Sequence, residues 1–179
     1  MNLYSKKLIR SINSHFDDFV LYSEESPISI FQTNNQKFAS YISKISFAYR
    51  ANLDEFRVQI SKKNRENLLK QKLKNFSLVL AGYHSNSDSF TFWDSQLIAL
   101  TEPLNRSLYT RQSICNVAKR EGVSLYNYYD KKTDMETTAI SLHSSKIHFY
   151  FIEESISTLH KPENAELFAE KHRNENFIK

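Results

Sequence analysis

The sequence predicts an all-β fold with peripheral helices, a seven-stranded open β-barrel, and three observations lead to this prediction. Tyr and Phe are frequent, at 10 and 13 residues, and aromatic residues favour strands. About seven short segments alternate apolar and polar residues at close spacing, which is typical of barrels and sandwiches. Segments with helical periodicity are few.

The first half of the chain is predicted to form one helix and an antiparallel strand pair. Residues 4–19 place apolar side chains three or four positions apart, which indicates an amphipathic helix. Residues 41–49 and 54–60 read as strands, and the short connection at 50–53 predicts that they pair. Residues 62–74 are rich in Lys, Asn and Gln and form either a surface helix or a basic loop.

The centre of the chain contains the clearest hairpin. Residues 77–83 and 89–93 are apolar strands separated by a run of turn-forming residues. Residues 103–111 are polar and irregular. They lead into a helix at 114–121, which Ser113 caps at its start and a glycine closes at its end.

The last third of the chain is predicted to hold the remaining strands, at 123–129, 137–142 and 146–152. A charged helix with little core to bind follows at 163–173. We therefore predict a single domain at 1–154, with an N-terminal helix, and a C-terminal helical tail or connector at 155–179.

Composition excludes several classes of protein. The chain carries 24 Lys+Arg and 20 Asp+Glu, and the net charge of +4 permits a polyanionic partner without requiring one. Two glycines are too few for a glycine-rich phosphate loop, and one cysteine cannot form an intramolecular disulfide. Charged residues interrupt every apolar run. We expect a cytoplasmic protein without a cofactor, a metal, a small-molecule substrate or a membrane partner.

Two motifs resemble a known family. The strand D-E-F-R-V-Q-I at 54–60 and the hairpin L-A-G-Y-(x)6-F-T-F-W-D at 80–94 resemble D-E-Y-R-I-Q and L-G-Y-(x)n-F-x-x-W-D. These belong to the B3-like DNA-recognition (effector) domains of bacterial restriction endonucleases, whose pseudobarrel is shared with plant B3 transcription factors. Residues 106–122 are similar to the segment that follows, and the resemblance covers residues 41–126. Relatives carry a longer Gly/Arg-rich stretch before the first motif.

The resemblance implies sequence-specific recognition of double-stranded DNA by two major-groove arms, as the targeting module of a restriction-modification system. A nuclease domain or subunit would be the protein partner. The first arm would comprise Tyr49, Arg50, Asn52, Asp54, Arg57 and Gln59. The second would comprise Asn105, Arg106, Ser107, Tyr109, Thr110, Arg111 and Gln112.

The chemistry of these residues suits base recognition. Arg pairs with guanine, Asn and Gln pair with adenine, and acids accept from cytosine. Basic residues in 62–74 form either a solvated surface, which is the commoner case, or contacts to phosphates, whose share of the affinity would fall with salt. A structural alternative stays open for Arg57, which is equally suited to pair with Glu55 or another acid across the sheet.

Two other functions remain as alternatives. Asp94, Asp130 and Lys132 offer the elements of a magnesium-dependent D…[D/E]-x-K nuclease. None of the six histidines lies in an H-x-K-x(4)-D pattern, and their spacing defines no zinc site. Cys115 is expected to be a small buried residue. The second alternative is an RNA- or protein-binding β-barrel.

Overall fold

The computed structural model describes residues 3–25, 27–48, 54–98, 105–153 and 155–173. The strands are β1 (Val20–Glu25), β2 (Ile28–Thr33), β3 (Gln36–Lys44), β4 (Ser46–Phe47), β5 (Glu55–Ile60), β6 (Ser77–His84), β7 (Ser89–Trp93), β8 (Arg106–Arg111), β9 (Val123–Asp130) and β10 (Met135–His143). The α-helices are α1 (Leu3–Asn13), α2 (Lys62–Lys72), α3 (Gln112–Glu121), α4 (His148–Ile152), α5 (Ile156–Leu159) and α6 (Pro162–Arg173), and short 3-10 turns lie at Ser95–Ile98 and Ser144–Lys146.

Seven strands form one mixed sheet, the large sheet, in the order β1-β2-β3-β6-β7-β10-β9. Neighbouring strands are antiparallel except for the central pair β3 and β6, which is parallel from Phe38↔Ser77 to Lys44↔Tyr83. Within the described residues β1 and β9 are the two ends of the sheet, so it does not close. The β-rich fold with helices is confirmed, whereas the barrel is not. Closure is not needed to bury the apolar residues, because both faces of the sheet are covered.

Helices α1, α4, α5 and α6 cover one face of the large sheet. Their apolar side chains join Phe38, Phe92 and other sheet residues in the first of two core clusters. The predicted strand at 146–152 is wrong, because this segment is a 3-10 turn followed by α4. Ile147, Tyr150 and Phe151, which are buried, lie three and four positions apart, and this spacing puts them on one side of a helix.

The C-terminal segment is helical, as predicted, but it does not lack a core. α5 and α6 contribute buried residues to the first cluster: Ile156, Leu159, Ala165, Phe168 and Ala169. The expectation that the last helix has little core to bind is therefore wrong. Among the described residues, no helix is long and apolar enough to cross a membrane.

The other face of the large sheet carries a second, three-stranded sheet with the order β4-β5-β8, called the small sheet. Val58 and Leu108 of the small sheet, Leu68 of α2 and Trp93 of β7 meet in the second core cluster. The indole nitrogen of Trp93 also donates to the Tyr109 carbonyl at 2.8 Å, which ties β8 to the large sheet. The small sheet and α2 thus lie side by side on one face.

Gly82 in β6 allows the two sheets to approach closely. A Cβ atom at this position would lie 2.6 Å from Ile45 Cγ1, 2.7 Å from Val58 Cγ2 and 2.9 Å from Trp93 Cη2. These distances are below van der Waals contact, and the three side chains are fixed in the core. The glycine of the L-A-G-Y motif is therefore required by packing.

Candidate nucleic-acid interface

The outer side of the small sheet is polar because β5 and β8 alternate. In β5, Phe56, Val58 and Ile60 are buried, and the residues between them are half-buried or exposed. In β8 the outward positions are likewise half-buried or exposed. Residues 106–111 were predicted to be irregular, and that prediction is wrong. Buried and outward residues alternate in this segment, and this alternation is the sequence pattern typical of a strand.

The register of β5 and β8 places their outward side chains in three directly opposed pairs. These are Glu55↔Arg111, Arg57↔Tyr109 and Gln59↔Ser107, and we call the six residues the polar face. Cβ atoms of opposed residues are about 5 Å apart. The structure thus brings together five residues assigned to two separate arms. Glu55 was not among them, although the alternation of β5 puts it on the same side.

Helix α2 carries exposed positive charge on the face of the large sheet that also carries the small sheet. Its Lys63 and Lys70 are exposed, whereas Leu68 on its inner side lies in the core that the small sheet shares. The hydroxyl of Tyr41 donates to the Gln59 carbonyl at 2.9 Å, next to the start of this helix. Because α2 and the small sheet cover the same face of the large sheet, their outer surfaces lie on the same side of the molecule.

Arg111 reaches from the small sheet to the edge strand β9. Its guanidinium carbon lies 5.1 Å from the centre of the Tyr126 ring, within the range of a cation-π contact. Tyr126 in turn stacks on Tyr128, with ring centres 5.4 Å apart and planes inclined by 22°. Burial raises the pKa of the Tyr128 hydroxyl, so this tyrosine stays neutral near pH 7.

Two predicted site residues of β8 face the interior. Thr110 is fully buried, and Arg106 is 4% exposed. The Arg106 guanidinium forms an ion pair with the Asp130 carboxylate of β9, and both side chains are almost entirely removed from solvent. This pair holds β8 against the large sheet. Arg106 therefore faces the interior and is not part of the polar face.

Asp94 and Asp130, the two acids of the nuclease alternative, both take part in other contacts. Asp130 accepts a hydrogen bond from the Lys132 amide at 2.9 Å in addition to its ion pair. Asp94 is buried and accepts from the Gln96 amide at 2.8 Å. In the part of the chain that the structure describes, no three His, Cys, Asp or Glu side chains are grouped so that they could hold a metal ion.

Asp54 holds the start of α3. Its carboxylate accepts from the Ser113 amide at 2.9 Å and from the Ser113 hydroxyl at 2.6 Å, while its carbonyl accepts from the Gln112 amide at 2.9 Å. Asn105 is exposed just before β8. Tyr49, Arg50 and Asn52, assigned to the first arm, lie outside the described residues.

Two further residues have buried positions. Cys115 is fully buried, as predicted, and burial raises the pKa of its thiol. His160 is also buried: its Nδ1 lies 2.7 Å from the Thr138 carbonyl and its Nε2 lies 2.8 Å from the Tyr150 hydroxyl. Since the carbonyl can only accept, Nδ1 carries the proton and Nε2 accepts from Tyr150. Burial lowers the pKa of His160.

Comparison with known proteins identifies a family. The chain matches no curated protein and no solved structure. The family model described as Methylase-associated X1 matches residues 36–151, roughly two thirds of the chain. This range contains every strand from β3 to β10, and therefore the whole small sheet. It agrees with the restriction-modification setting implied by the sequence motifs, but it does not identify a B3-like domain. The chain belongs to the Methylase-associated X1 family, which suggests a domain associated with restriction-modification.

Proposed function

We propose that this chain recognises a short sequence of double-stranded DNA with the polar face and serves as the targeting module of a restriction-modification system. One observation carries the proposal. Five side chains assigned to DNA contacts on sequence grounds lie together on two paired strands, and the inner sides of those strands are fixed in a core. Base reading needs hydrogen-bonding groups that are held on a rigid support.

The chemistry of the polar face fits base edges. Arg57 and Arg111 offer paired donors to the O6 and N7 atoms of guanine, Gln59 offers a donor and an acceptor to adenine, and Glu55 accepts from cytosine. A two-stranded ribbon fits the major groove, which is roughly 12 Å wide. Ser107 and Tyr109 carry hydroxyl groups suited to phosphate oxygens. Tyr49, Arg50, Asn52 and Asn105 remain in the proposal as flanking contacts.

The lysines of α2 would add the sequence-independent share of the affinity. Lys63 and Lys70 are exposed, and they line a recess with Ile28 and Ile30 of β2, on the face of the large sheet that also carries the small sheet. Each phosphate that a lysine neutralises releases counterions and steepens the dependence of binding on salt by about 0.9 per contact. Replacing either lysine with Ala would therefore weaken binding to all duplexes alike.

We assign catalysis to a separate domain or subunit. The family description names methylases, and the two sequence motifs resemble B3-like effector domains, which direct endonucleases to their target. A methylase or nuclease partner needs a module that selects its DNA site. Double-stranded DNA and such a subunit are the two partners we propose for this chain.

The proposal is tested by selecting duplexes from a random pool at moderate salt and then measuring affinity by fluorescence anisotropy. We expect an enriched motif, and Arg57→Ala should lose about 1–3 kcal/mol on the selected duplex and much less on a random one. Arg10→Ala is the matched control, because Arg10 is exposed on α1, which packs against the opposite face of the large sheet. Its affinity should match that of the unmodified chain.

Two results would contradict the proposal. The first is a pool that yields no enriched motif. The second is an equal loss for Arg57→Ala on selected and random duplexes, because a residue that reads a base must discriminate between sequences.

A further inference from the structure

The contact between Arg111 and Tyr126 lies where the polar face meets the edge of the large sheet. Arg111 ends β8 and is exposed, and its guanidinium carbon is 5.1 Å from the Tyr126 ring centre. Glu55 is its cross-strand partner. The arginine thus leaves the small sheet and rests on a ring that belongs to another sheet.

That ring is held from two directions. The backbone of Tyr126 pairs with Ala139 of β10, which fixes the strand from its inner edge. The ring itself packs against the second core cluster and stacks on Tyr128, which is partly buried against the same cluster. Since packing holds both tyrosine rings, the Tyr126 ring restricts where the Arg111 guanidinium can lie.

A guanidinium that is held against a ring suits a partner with two hydrogen-bond acceptors side by side. The Tyr126 ring contacts the guanidinium from one side. The N–H groups of a guanidinium lie in its own plane, where they can form paired hydrogen bonds. Guanine presents two acceptors, O6 and N7, at the spacing that such a pair of donors matches. Holding a long side chain in place before binding improves affinity by roughly two- to tenfold, because less motion is lost in the complex.

We propose that Arg111 reads one guanine of the target and that Tyr126 is a positioning residue that orients its guanidinium. This inference rests on the proposed function and deepens it, since it adds Tyr126 as the residue that holds Arg111 in place for that guanine. Tyr126 acts through Arg111 and makes no base contact of its own.

The guanine is located by comparing two selections. Duplexes selected by the unmodified chain should hold a guanine at a position where duplexes selected by Arg111→Ala show no preference. Replacing that guanine with 7-deazaguanine, which lacks the N7 acceptor, should weaken binding of the unmodified chain by about fivefold or more. The same base change should leave the affinity of Arg111→Ala unaltered, because the donor is already absent.

The positioning role is tested with two variants of Tyr126. Tyr126→Phe keeps the ring and should bind like the unmodified chain. Tyr126→Leu should lose roughly two- to tenfold on the selected duplex and nothing on a random duplex. NMR gives a readout without DNA, since the Arg111 side-chain protons should show a ring-current shift that Tyr126→Phe retains and Tyr126→Leu removes.

The outcomes separate the two proposals. If no motif is enriched, the proposed function fails and this inference fails with it. If a motif is enriched but Arg111→Ala keeps every base preference, DNA recognition stands and guanine reading by Arg111 is overturned. If Tyr126→Leu binds and discriminates like the unmodified chain, or the ring-current shift is missing, the positioning role is overturned.

Discussion

Removing one charge of the buried pair between Arg106 and Asp130 should strongly destabilise the fold. The two side chains are only 5% and 10% exposed, so both charges have lost most of their hydration. Asp130→Asn keeps the size of the side chain but removes the negative charge that pairs with the Arg106 guanidinium. Removing one charge of a buried ion pair strongly lowers the free energy of unfolding, because the attraction that offset the desolvation of the other charge is lost.

The expected loss is about 3–5 kcal/mol of the free energy of unfolding. A domain is typically stable by only about 5–15 kcal/mol, so the loss is a large fraction of the total. For a chain of this size, 1 kcal/mol corresponds to roughly 2–4 °C in Tm, and the midpoint should therefore fall by about 6–20 °C.

Thermal and urea unfolding, followed by circular dichroism, measure this change. The double variant Arg106→Met/Asp130→Leu fills the same space without charge and should recover most of the loss. Glu66→Gln is the control, because Glu66 and Lys62 form an exposed pair with atoms 3.9 Å apart, and its loss should stay below about 1 kcal/mol.

A loss below about 1 kcal/mol for Asp130→Asn, or a double variant no more stable than the single one, would refute this reasoning. The same measurement decides the role of Arg106. If Arg106→Met left stability intact and weakened only binding to the selected duplex, Arg106 would belong with the base-reading residues and not with the core.

Three further predictions concern packing, capping and pH. Gly82→Ala should cost about 1–3 kcal/mol, because the added methyl group meets Val58 and its neighbours at less than contact distance; urea unfolding measures the loss. Asp54→Ala should cost about 0.5–2 kcal/mol in the same assay, since Ser113 at the start of α3 loses its acceptor. Lowering the pH from 7.5 to 5.5 should destabilise the fold. Burial lowers the pKa of His160, so the unfolded chain takes up this proton more readily than the folded chain, at a cost of at most about 1.4 kcal/mol per pH unit.

Each of these has a control and a contrary result. The costs of Gly82→Ala and Val58→Ala should not add, and strict additivity would deny the clash. Asp17→Ala, at an exposed position, should stay within about 0.5 kcal/mol, and an equal loss would deny the capping role of Asp54. For the pH prediction, His160→Asn should reduce the dependence of the free energy of unfolding on pH. An unchanged dependence would exclude His160 as its source.

The parts of the fold that the sequence predicts are those encoded by neighbouring residues. The hairpin of β6 and β7 follows from two apolar runs around polar turn residues, and β5 follows from a clean alternation. α3 ends where Gly122 adopts a positive φ of 83°, a conformation that glycine allows. The outward residues of β5 and of β8 occupy every second position and are encoded in the same local way, but the pairing of these two distant segments, which forms the polar face, is not.

The errors arise where the partner is distant in sequence. No residue close to Arg106 in the sequence indicates that it is buried, because the Asp130 carboxylate that pairs with it lies in a strand of the other sheet. The segment before α5 satisfies both periodicities: Ile147, Phe149 and Phe151 alternate as in a strand, whereas Ile147, Tyr150 and Phe151 follow a helix. The segment becomes a helix because one face of the large sheet needs to be covered, and this cannot be read from the periodicity of the segment alone.

The central parallel pair has a consequence for when this chain can act. β3 and β6 are neighbours, so the roughly thirty residues between them, which include β5 and α2, form a loop that closes only when those two strands meet. Half of the polar face is carried on that loop, and the other half arrives with β8. A partly folded chain therefore does not assemble the polar face, and the affinity for a specific duplex that we propose would report the folded molecule.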